Sequence, residues 1–68
     1  MDELETAFFH KLFERIKQLE PSTKKEKLLI KALVISEMAG LGCSEEIVDK
    51  LVENRKETEE RFSYNKAV

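Results

Sequence analysis

The sequence predicts an all-α fold: a small three-helix domain, the first two helices an antiparallel hairpin and the third long and partly projecting. Three observations carry that expectation. Apolar residues recur at steps of three and four, the spacing of one helix face. Capping residues stand at each expected helix start, and two Gly with one Pro leave little irregular chain. Glu, Lys, Leu and Arg dominate, and strand-formers do not alternate, as in helical proteins.

The fold is organised around Leu28 to Ile35, where Lys31 alone interrupts a run of apolar residues. A helix that is hydrophobic all round must be covered all round. A strand over 28–36 is the competing reading, since short apolar runs do not identify their own period. Capping signals on both sides, and a length near that of an ordinary globular helix, favour a helix.

The first helix is expected near 2–20, carrying Leu4, Phe8, Phe9, Leu12, Phe13, Ile16 and Leu19. Asp2 and Glu5 have capping-box spacing. The apolar arc spans about half the circumference, wider than the ~100° stripe of a simple surface helix. Pro21 ends this helix by disfavouring helical geometry at Glu20.

Thr23-Lys24-Lys25-Glu26 is a capping box for the second helix, expected over 23–39. Gly40 stands where a left-handed C-terminal cap is wanted. The third helix is expected over 45–62, capped by Ser44 and carrying the stripe Ile47, Leu51, Thr58 and Phe62. Residues 1–62 then form one domain, and 63–68 a flexible tail.

Sixty-eight residues lie near the lower limit of independent stability. Cores of this size rarely supply more than ~3–5 kcal/mol without disulfides, metal or a second subunit. Cys43 is the only cysteine and His10 the only histidine. A homodimer is therefore expected. Its interface should hold Phe9 and Phe13 from the edge of the first helix and Ile30 and Val34 from the second.

Chemistry-bearing groups do not converge. His10 lies on the polar side of the first helix, opposite Leu4, Phe8 and Leu12. Cys43 precedes a helix start, where a thiol pKa can fall, but Glu45 and Glu46 oppose that. No metal-ligand spacing is present. Gly40 and Gly42 join two helices and lack the strand and the Gly-Lys-Ser/Thr of a phosphate loop. No enzyme activity, cofactor or metal is expected.

One surface feature is ordered. Glu46, Asp49, Glu53, Glu57 and Glu60 recur at three- and four-residue steps, an acidic ridge suited to a protein partner with a basic surface. A helix-turn-helix DNA-binding regulator is the alternative, from the glycine turn between the second and third helices. There, however, Glu45, Glu46 and Asp49 occupy the positions that should meet bases and phosphates. The net charge of −2 gives no general pull towards nucleic acid or acidic lipid.

An acidic start is unlike a secretion signal, and the central apolar run is far shorter than the ~20 residues that span a bilayer. No membrane association and a cytoplasmic location are expected. The leading expectation is a small non-enzymatic interaction or regulatory module.

The outline of helix, Gly-Leu turn, Ser-Glu-Glu-Ile and further helix resembles small bacterial helical-hairpin regulators over about half the chain. The sporulation phosphatases of that size carry a Ser-Gln-x-x-Asp signature. The comparable stretch here, Val52-Glu53-Asn54-Arg55-Lys56, has no aspartate, so the resemblance implies no activity.

Overall fold

The computed structural model describes the backbone of residues 3–67 and the side chains of residues 3–60. Three helices follow one another: α1 (Glu3–Lys17), α2 (Thr23–Ala39) and α3 (Ser44–Ala67). No strand occurs among the described residues, which sets aside the strand reading of 28–36. The molecule is elongated, 50 × 17 × 14 Å.

Contacts at both ends show that α1 and α2 run antiparallel. Lys25, at the start of α2, donates from Nζ to the carbonyls of Lys17 (3.2 Å) and Leu19 (2.9 Å) at the end of α1. At the other end, Ile35 shares a groove with Leu4, Phe8 and Phe9 near the start of α1. The same lysine explains where α1 stops. Its ammonium satisfies carbonyls that the helix end leaves free, and the last turn tightens through Gln18 N–H to Arg15 C=O. α1 therefore closes at Lys17, three residues short of the expected Glu20.

The capping residues shift by one from the sequence expectation. Ser22, not Thr23, caps α2: its backbone is extended and its Oγ accepts from the Lys25 N–H at 3.1 Å. At the other end Gly40 adopts φ 64°, and the Leu41 N–H reaches back to the Ser36 carbonyl at 3.0 Å. That is a Schellman closure, and it needs a residue tolerant of the left-handed region. Ser44 is the first residue of α3, not its cap: the Ile47 N–H bonds to the Cys43 carbonyl at 3.0 Å, which puts Cys43 at the cap position.

The core holds Phe9, Phe13, Ile16, Leu29, Ala32 and Ile47, with Leu28, Leu33, Leu41, Cys43 and Leu51 packed against it. Burial of each large side chain is worth roughly 1.5–3 kcal/mol. Of the two apolar stripes on α1, Phe9–Phe13–Ile16 faces inward, whereas Phe8 stays 71% exposed.

α3 packs antiparallel on α2, joined at one end by Ser36 with Cys43 and at the other by Ser22 with Asn54. Since Asn54 already lies level with the start of α2, the rest of α3 runs on past the α1–α2 turn. Its backbone stays helical to Ala67, beyond the expected end at residue 62. The expected tail at 63–68, the place of Phe62 and the cap at Asp2 fall outside the residues with described side chains.

Candidate functional site

Buried polar groups draw α2 and α3 together. Asn54 is 3% exposed, and its side-chain amide pairs with both backbone groups of Ser22. Its Oδ1 accepts from the Ser22 N–H at 3.1 Å, and its Nδ2 donates to the Ser22 carbonyl at 3.0 Å. Thr58 Oγ1 donates to the Asn54 carbonyl at 2.7 Å. At the opposite end, Ser36 Oγ accepts from the Cys43 N–H at 3.2 Å and lies 3.4 Å from Ser44 Oγ. Among the described residues no buried side-chain nitrogen or oxygen lacks a partner. These groups hold the fold and expose nothing for chemistry.

The expected bystanders are placed as follows. His10 is exposed on α1, its ring edge-on to Phe9 at 5.8 Å between centroids. Cys43 is half-buried, with its Sγ 3.7 Å from the Leu41 carbonyl. No group of three or more His, Cys, Asp or Glu side chains converges as a metal site among the described residues. None of the described helices is long and apolar enough to cross a membrane.

The acidic ridge of α3 is exposed throughout, from Glu46 and Asp49 to Glu53, Glu57 and Glu60. Two of its members carry local partners. Glu46 meets Lys17 of α1 at 3.3 Å, and Glu53 meets Lys50 at 3.5 Å. Lys17 also pairs with Glu14 at 2.6 Å and stands 4.9 Å over the Phe13 ring. The hydrogen bond to Glu14 raises the Lys17 pKa above its ordinary 10.5, with Glu46 adding and partial burial opposing. Asp49, Glu57 and Glu60 carry no ion pair within the described residues and present their charge to solvent.

The expected dimer residues divide. Phe9 and Phe13, expected on an apolar edge of the first helix, are buried within their own chain. The apolar arc of α1 is wide enough for two stripes, and the inward one takes those two rings. Leu4, Phe8 and Leu12 are exposed in their place. Ile30 and Val34 of α2 are exposed as expected, and Met38 continues their row at 85% exposure. Val48 and Val52 of α3, which adjoin the Ile47–Leu51 stripe in sequence, are exposed as well.

Among the described residues, an acidic ridge on α3 and apolar side chains around α2 are left exposed. Comparison with protein-family models, with curated proteins and with solved structures finds no match for this chain.

Proposed function

We propose that this chain is a small non-enzymatic interaction or regulatory module of the cytoplasm, working as a homodimer through its helix surfaces. The apolar surplus around α2 carries this reading. Two neighbouring helices cannot cover a helix that is hydrophobic all round, and Ile30, Val34, Ile35 and Met38 remain open to solvent.

The acidic ridge is the surface offered to a further partner of basic character. Its centre lies on the side of α3 away from Arg55, and so remains available once the apolar surfaces are covered. Sedimentation equilibrium at tens of micromolar tests the dimer. The expected result is twice the chain mass, and a well-folded monomer with native helicity would overturn the reading.

A further inference from the structure

The α1–α2 hairpin has two sides, and α3 covers one of them. Lys17 of α1 pairs with Glu46 of α3, and Glu26 of α2 with Arg55 of α3. Phe8 stands nine residues before Lys17, and Ile35 nine after Glu26, in each case about two and a half helical turns. Each is therefore on the side of its helix away from α3. Between them lies an open groove of about 420 Å³, lined by Leu4, Glu5, Phe8, Phe9 and Leu12 with Ile35. Bulky apolar side chains stand uncovered along it: Leu4 is 80% exposed, Phe8 71% and, one turn beyond Ile35, Met38 85%.

Charge is segregated along this groove. Lys31 and Lys27 precede Ile35 at four-residue steps and are exposed on one bank. On the other bank Lys11 and Arg15 are exposed, and with Phe8 and Leu12 they line an adjoining hollow of about 510 Å³. Because the helices run antiparallel, both pairs of cations lie towards the α1–α2 turn. The carboxylates of the hairpin are engaged or stand elsewhere. Glu14 is held by Lys17, and Glu26 by Arg55 on the side of α3. Glu3, Glu5 and Glu37 lie at the far end, beside Leu4 and Met38. Glu20, in the turn, is the carboxylate that shares the basic end.

We propose that this groove seats a helix of another protein, amphipathic and acidic over the end near the α1–α2 turn. Its apolar row, at steps of three and four, packs on Phe8, Leu12 and Ile35, as α3 packs on the hairpin's other side. Its carboxylates flank that row, between Lys11 and Arg15 on one bank and Lys27 and Lys31 on the other. The inference rests on the interaction-module reading above and names the partner's chemistry; it does not need the dimer. A second copy does not supply those carboxylates. A two-fold axis lying in the face returns each flank of α1 to the same flank, and Glu5 and Lys11 lie on opposite flanks of the Leu4–Phe8–Leu12 row. The acidic ridge of α3 is on the far side of the molecule, with Glu46 beside Lys17. Docking it here would repeat from copy to copy without closing. An anionic bilayer fits less well, since Glu3, Glu5 and Glu37 stand beside the apolar end that would have to enter it.

Fluorescence anisotropy with three synthetic peptides tests the groove. The first is an amphipathic helix with leucines at steps of three and four and glutamates flanking them in one half. The second has glutamine for each glutamate, and the third has the first one's composition in scrambled order. The wild-type chain should bind the first at least ~10-fold more tightly than the others, and more weakly as salt rises. Lys27→Glu with Lys31→Glu, and separately Phe8→Ala, should each weaken that binding at least ~10-fold. These positions are exposed, so the variants should keep native helicity by circular dichroism. Lys56→Glu, a charge reversal on α3, should bind as the wild type does. Equal binding of all three peptides, or of none, overturns the proposal, as does binding that the groove variants leave unchanged. So does binding to vesicles of anionic phospholipid in place of the first peptide. Sedimentation equilibrium separates these outcomes from the dimer reading. A monomer that binds the first peptide supports the groove and removes the dimer. A dimer without the peptide preference overturns the groove and leaves the interaction reading standing. A dimer that Phe8→Ala splits places a second copy in the groove and overturns the proposal.

Discussion

The side chain of Asn54 treats Ser22 as a strand would treat its neighbour, accepting from its N–H and donating to its carbonyl. Ser22 is also the cap of α2, its Oγ holding the Lys25 N–H. One residue of α3 thus fixes the extended backbone that starts α2, and through it the α1–α2 turn. Asn54→Ala would leave a part-buried backbone pair without its partner, at a cost of about 1–3 kcal/mol for each group left unsatisfied. Urea unfolding followed by circular dichroism should show a loss of ~2–4 kcal/mol, a large share of so small a core. Asn54→Asp should also destabilise, since a carboxylate keeps the N–H and repels the carbonyl. A change within ~0.5 kcal/mol for the alanine variant would show the pairing to be dispensable.

That pair was not legible in the sequence, and the reason is physical. Asn54 sits among Glu53, Arg55 and Lys56, so its polarity reads as solvent exposure. Only its position on the Ile47–Leu51–Thr58 stripe marks it, and a polar residue there has two readings until its partner is known. Ser36 is the same case, in register with Leu29 and Ala32 and buried. By contrast, the three helices, the second with its predicted bounds, follow from periodicity and from Pro21 and Gly40. On α1 the sequence offered two stripes of equal apolarity, Leu4–Phe8–Leu12 and Phe9–Phe13–Ile16. Packing chose the second, which no local rule could decide. The acidic ridge was legible because charges at helical spacing need no tertiary knowledge.

The choice between the α1 stripes can be tested directly. Phe13→Ala should cost about 3–5 kcal/mol, through lost burial and the cavity left behind. Phe8→Ala, at an exposed site, should change the stability of the isolated chain by no more than ~0.5 kcal/mol. Denaturant midpoints at low concentration separate the two. Equal losses would mean that both rings are packed.

Lys17 makes stability depend on pH at the alkaline end. Its folded pKa is raised, first by Glu14, so its contribution is fully present below the unfolded value of 10.5. That contribution is lost as pH climbs through the higher folded value. The carboxylates of Glu14 and Glu46 are more than half exposed, so solvent screens the pairs and keeps the effect small. The stability difference between wild type and Lys17→Met should be level from pH 7 to pH 10 and shrink above it. A difference unchanged up to pH 12 would show that Lys17 acts only by packing on Phe13.

The acidic ridge permits a sharper test, because binding and stability should move in opposite directions. Glu53 and Glu57 stand four residues apart, and Glu57 and Glu60 three, so each pair repels along the helix by roughly 0.2–0.5 kcal/mol. Changing all three to Gln removes that repulsion and gives up the long Lys50–Glu53 contact, so the helix should hold or gain slightly in thermal midpoint. If the ridge docks a basic surface, the same variant loses three charge pairs, each worth ~0.2–1 kcal/mol at an exposed site. Affinity for a lysine-rich helical peptide, read by fluorescence anisotropy, should then fall about ten-fold, and wild-type binding should weaken steeply with salt. A face kept only for solubility gives another pattern: the same small gain in midpoint, with no salt-sensitive binding to lose. Binding that the triple variant leaves unchanged would remove the ridge from the proposed function and leave the apolar surface around α2 to carry it.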